Sequence, residues 1–66
     1  MNEYRVERAE RGSDYRCCYM SASIADADEH YEQAIRVVHV CGGRARLVAQ
    51  REGYEPSVLA SFERGW

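Results

Sequence analysis

Five side chains could act as soft metal ligands or thiol nucleophiles: Cys17, Cys18, His30, His39 and Cys41. Structural zinc sites need such residues in paired, closely spaced clusters, and no CxxC or HxxxH spacing occurs here. Cys17 and Cys18 are adjacent in a stretch that alternates like a strand. Their side chains point to opposite faces and cannot share one metal unless the strand bulges. His39 and Cys41 stand two apart on a helical stretch and do not face each other, so they do not make a thiol–imidazole nucleophile pair. There is no glycine-rich phosphate loop. The reading is no catalytic residue, no metal and no cofactor, with Cys17 and Cys41 expected as buried, small apolar residues.

The charged residues are more informative. All nine basic residues are arginines, set against eleven acids, for a net charge of −2. Asp26, Asp28, Glu29 and Glu32 form an acidic cluster, whereas residues 36–51 hold Arg36, Arg44, Arg46 and Arg51 and no acid. Guanidinium groups make planar, two-pronged contacts with carboxylates and phosphates. Arg5, Arg16, Arg44 and Arg46 with Tyr15 or Trp66 could grip a nucleic acid. The acidic balance makes direct nucleic-acid binding the less expected use.

The element that positions these groups is Ser23–Cys41. Ile24, Ala27, Tyr31, Ala34, Ile35, Val38 and Cys41 recur at steps of three and four, the stripe of an amphipathic helix. Ser23 with Asp26 three residues on has the form of a capping box. The acids suit the positive end of the helix dipole, Arg36 suits the negative end, and Glu32 can pair with Arg36. Gly42 can end the helix through a positive φ. In the competing reading, Arg36–Cys41 is a strand joined to Arg44–Arg51 by a Gly42-Gly43 hairpin. That requires a helix to pass into a strand without a loop, where about two to six residues are usual.

Around the helix, residues 3–10 and 15–22 read as a hairpin turning at Gly12-Ser13. A two-residue turn pairs Val6 with Tyr19, Tyr4 with Ser21 and Arg8 with Cys17. Residues 44–51 and 57–63 alternate as two further strands, with Val58, Ala60 and Phe62 directed inward. The expected fold is α+β, β-β-α-β-β, an antiparallel-rich sheet with one helix packed on one face. It forms a single domain over residues 1–66, whose marginal core buries only about 60% of the unfolded chain's surface.

The face away from the helix is expected to carry Arg5, Arg16, Cys18, Met20, Arg44, Arg46, Val48 and Leu59. Apolar residues ringed by arginines have the make-up of an interface. The same pattern also describes a solvated sheet with arginine stems lying over small apolar groups. Asp26, Asp28, Glu29 and Glu32 form a second candidate surface, for a basic partner. An odd cysteine count, no secretory leader and no run apolar enough to cross a membrane point to a cytoplasmic protein.

In size and layout, the hairpin, the acidic helix start and the Arg44–Arg51 strand resemble small phage-encoded anti-CRISPR proteins. That resemblance implies a non-enzymatic inhibitor that blocks a host defence complex. The first half is also similar to an antitoxin family in which a hairpin precedes a helix containing Glu-Gln-Ala-Ile, here Glu32–Ile35. The expected partner is therefore another protein or a protein–nucleic-acid complex. The alternative is a homodimeric nucleic-acid-associated or antitoxin-like module.

Overall fold

The computed structural model describes residues 2–64. It contains β1 (Asn2–Ala9), β2 (Arg16–Ser21), α1 (Ile24–Cys41), β3 (Gly43–Arg51) and β4 (Ser57–Arg64). The four strands form one antiparallel sheet in the order β2-β1-β3-β4, and α1 lies across one face. The sequence left the strand order open. The helix supplies the crossover that places β3 beside β1, so the two central strands are far apart in the chain.

The helix runs the full length that its apolar stripe indicates. The Ser23 hydroxyl accepts a hydrogen bond from the Asp26 amide at 3.4 Å, satisfying one of the free donors of the first turn. At the other end the Gly42 amide donates to the Val38 carbonyl at 2.8 Å. Gly42 has φ 80° and ψ 178° and Gly43 has φ 105°, backbone that a side chain would strain. These two glycines let the helix enter β3 through a single residue. That is shorter than the connection length which argued against the strand alternative. Gly43 is also fixed by contact, because a Cβ there would collide with the Ala9 carbonyl oxygen.

Ala27, Tyr31, Ala34 and Val38 are buried against Val6, Ala45 and Leu47. Three of these seven side chains are a single methyl, so the helix can lie close on the central strands. Ile35, Tyr4, Tyr19, Ala60 and Phe62 pack around them. Ile24 and Cys41, the two ends of the expected stripe, are exposed, since the helix termini project past the packed centre. Among the described residues no ion pair joins Glu32 to Arg36; both side chains are exposed.

Two register shifts separate the observed sheet from the expected one. Residues 10–15 form a longer connection, with a turn closed by the Ser13 amide on the Glu10 carbonyl at 3.0 Å. Val6 does face Tyr19 and Tyr4 does face Ser21, but Glu7 then faces Cys17 and Arg8 faces Arg16. Cys18 is the extra residue of a bulge. On β4, Leu47 faces Ala60 but Val48 faces Val58, which leaves Leu59 as a second bulge. Directly opposed residues share a face. Cys17 and Val58 therefore move to the open face, and Arg16 moves to the parity of the helix-covered face. Both bulges sit on edge strands, where they disrupt the ladder that another strand would extend.

Gly43→Val should cost more than about 2 kcal/mol in a urea melt, through the positive φ and the clash with Ala9 together. Gly12→Ala, with φ 76° and open space around its Cβ position, should cost only about 1 kcal/mol. Equal losses would show that close packing at Gly43 is unimportant.

Burial raises the pKa of Tyr31 above 10.0, with smaller contributions from the negative charges of Tyr15 and Asp28. The folded state thus holds this proton more tightly than the unfolded chain does. Stability should be fully present below pH 10 and decline as the pH rises through the folded-state pKa. In an absorbance titration Tyr31 should ionise late, and Tyr31→Phe should remove that late component.

Candidate partner-binding surface

The open face is built on the central pair β1 and β3. Arg5 lies opposite Val48, Glu7 opposite Arg46, and Ala9 opposite Arg44. β2 extends these rows with Met20 beside Arg5 and Cys17 beside Glu7. β4 extends them with Val58 beside Val48, Ser61 beside Arg46 and Glu63 beside Arg44.

Among the described residues no second layer covers this face, yet its middle is nearly closed to solvent. Val48 is 2% exposed, Ala9 1% and Glu7 9%. The cover comes from the face's own long side chains. Arg46 Nε donates to Glu7 Oε1 at 2.6 Å, and the Arg46 guanidinium also lies over the Tyr15 ring, 3.9 Å from its centroid. Arg44 stacks on the same ring at 4.8 Å and donates to the Ser13 carbonyl. Arg5 donates to Gln50 Oε1 at 3.5 Å and approaches the second Glu7 oxygen at 3.9 Å, while its buried Nε has no hydrogen-bond partner among the described residues. A carboxylate on a nearly dry sheet centre needs such compensation. Glu7 obtains it from Arg46 through a short, charge-assisted hydrogen bond.

This arrangement revises the role expected for the arginines. Arg44 and Arg46 project from the open face, but Arg46 is committed to Glu7 and both stack on Tyr15. Tyr15 is thereby engaged with its own chain rather than offered as a stacking platform. Arg16 leaves the site: it stands across from Arg8 and pairs with Glu10 at 3.3 Å. Leu59 leaves too. Displaced by its bulge, it joins Tyr4, Ala49 and Tyr54 around a 310 Å³ cleft on the helix-covered side. Val48 remains on the open face but is buried. Met20, 55% exposed, and Val58, 54% exposed, are the apolar groups available to a partner on this face. On the Val58 side of the row that joins them, a hollow of 350 Å³ is lined by Arg5, Glu7, Arg46, Val48, Glu55, Pro56 and Val58.

Glu7 and Val58 belong to the surface without having been candidates. Glu7 was legible in principle, as one of two acids on β1, with Glu3, of the same parity as Arg5. Val58 was not, because only the bulge turns it outward.

Asp26, Asp28, Glu29 and Glu32 are all exposed at or near the helix start and remain together as a surface. The cysteines are free and exposed, contrary to the buried setting expected for Cys17 and Cys41. Cys17 lies on an edge strand beside a bulge, and Cys41 is the last residue of the helix. The histidines have other partners. His30 stacks on Tyr19 with centroids 3.5 Å apart, and its Nδ1 lies 3.0 Å from the Asp26 carbonyl oxygen, which accepts the N–H. His39 Nδ1 accepts from Arg64 at 2.7 Å and its ring packs against Phe62. Among the described residues no group of three or more His, Cys, Asp or Glu is placed to hold a metal, and no helix is long and apolar enough to cross a membrane. Trp66 lies outside the described residues.

Comparison with known proteins finds no matching family model, no matching curated protein and no matching solved structure.

Arg46→Glu should destabilise the fold by about 1–3 kcal/mol. It removes the partner of a nearly buried carboxylate and adds a like charge, though Arg46's partial exposure reduces the penalty. Arg44→Glu should cost under about 1 kcal/mol. Chemical denaturation of the two variants checks this, and equal effects would mean that the Glu7–Arg46 bond carries no special weight.

Proposed function

We propose that this chain is a small non-enzymatic binding protein, an inhibitor or adaptor, that docks on another protein through the open face of its sheet. The observation that carries this reading is the pairing of exposed Met20 and Val58 with a fixed arginine network between them. Ion pairing and stacking hold the Arg5 and Arg46 side chains in place before any partner arrives, so little side-chain entropy is left to lose on docking. The chemistry that fits is a partner surface with two apolar contacts flanking one or two carboxylates. The apolar contacts would cover Met20 and Val58. The carboxylates would take guanidinium donors that Glu7 and Gln50 leave unused.

The inhibitor reading also draws on the resemblance in size and layout to phage-encoded anti-CRISPR proteins, with a bacterial defence complex as the target. A cytoplasmic location follows from that reading.

The test is expression in a bacterium with active CRISPR immunity. Targeted phage should regain plating efficiency by at least about a hundredfold, and Met20→Asp with Val58→Asp should abolish the gain. Both positions are exposed, so the double variant should melt within about 1 kcal/mol of the parent. Val40→Asp, on the outer helix face, should keep full effect. No rescue by the parent chain would overturn the defence-complex target. Full rescue by a folded double variant would overturn the open face as the docking site.

A further inference from the structure

The formal charge of −2 hides a strong segregation. The end of the molecule that holds the helix C-terminus, the β1–β2 connection and the last residue of β4 carries Arg8, Arg11, Arg16, Arg36, Arg44 and Arg64. Glu10, Asp14 and Glu63 are the acids there. The opposite end carries Glu3, Asp26, Asp28, Glu29, Glu52 and Glu55 against Arg51. An 18-residue helix separates the two ends by about 27 Å. The screening length at physiological salt is about 8 Å, so a ligand at one end scarcely feels the other. The acidic balance that counted against nucleic acid at the sequence level therefore does not apply locally.

The basic end is also shaped. One groove of 350 Å³ is lined by Arg11, Gly12, Gly43, Arg44, Arg64 and Glu63. A second, of 420 Å³, is lined by Arg8, Arg11 and Glu10 with Val37, Cys41 and Gly42. They share Arg11, so together they form one trough around this end. Gly12 and Gly43 line the first part and Gly42 the second.

We propose that this trough binds the phosphodiester backbone of a nucleic acid, with Arg8, Arg11, Arg44 and Arg64 as the phosphate-contacting groups. Each guanidinium has five N–H donors, so a contact made inside the protein still leaves donors for a phosphate. Phosphate oxygens suit that planar fork, and successive phosphates can meet arginines along the trough's length. The site lies apart from Met20 and Val58, and either surface can fail without the other.

The experiment is fluorescence anisotropy with a labelled 20-nucleotide single strand of mixed sequence, titrated at several salt concentrations. Three to four phosphate contacts give a slope of log K against log salt of about −2 to −3. Arg11→Gln with Arg64→Gln should weaken binding at least tenfold and reduce the slope by about one to one and a half. Arg51→Gln, at the acidic end, should change neither. If the double variant loses its circular dichroism, Arg11→Gln alone, in an exposed turn, should reduce the slope by about 0.7. The proposal is overturned by no binding at 20 mM salt or by a slope that the variants leave unchanged. It is also overturned by equally tight binding of labelled polyglutamate, which would indicate an acidic protein partner. A salt-reversible rise in mass of the protein alone, lost in the variant, would assign the trough to the acidic end of a second copy.

Discussion

One helix can cover only one face of a four-stranded sheet, and most of this molecule follows from that limit. The helix-covered face is sealed by small side chains: Ala27 and Ala34 against Ala45, with Val6, Val38 and Leu47 filling in. The other face has no such layer and seals itself with its own chain. Arginine side chains stacked on the Tyr15 ring shield the buried Ala9, Glu7 and Val48, Pro56 and Val58 line the hollow beside them, and a carboxylate–guanidinium bond pins the arrangement at its centre. An interface and a self-sealed sheet draw on the same residue types. The distinction lies in which guanidinium donors the fold has already used. Here the sealing is partial, and the proposed docking surface is what it leaves over.

The helix was legible through its cap and its apolar stripe, because those signals are local: a periodic spacing and a serine three residues before an acid. Its last turns, residues 36–41, were open to a strand reading, because Val37, Val38 and Val40 suit either state and only Gly42 marks the end. The four strands were legible to within a residue or two through equally local signals. Side-chain facing was legible only up to the first bulge on each edge strand. Beyond Tyr19 and beyond Ala60 the alternation slips by one, and nothing in YRCCYM or SVLASF marks the slip. A bulge is set by how the partner strand twists and by what lies beyond it, which is tertiary information. Arg16, Leu59, Cys17 and Val58 were assigned to the wrong side through this one cause.

The candidate site was half legible. The arginines were visible, but their mutual commitments were not, because Glu7–Arg46 joins residues thirty-nine apart in the chain. Charge segregation shows a related failure. Net charge is a sum over the chain, whereas a ligand samples only what lies within a screening length. Arginines scattered from residue 8 to residue 64 gather at one end only once the strands are placed side by side.

The strand order also bears on how the chain reaches this state. β1–β2 and β3–β4 are local hairpins, each closing a short connection, whereas the central β1–β3 ladder joins residues 2–9 to residues 43–51. Closing so long a loop is the entropically expensive event, and it is rewarded only when the ladder forms. The helix shortens the effective loop by turning eighteen flexible residues into a rigid rod. Gly42 then delivers the end of that rod straight into β3, with no slack between them. The strut thus carries the longest-range contacts of the fold, those along the seam between β1 and β3.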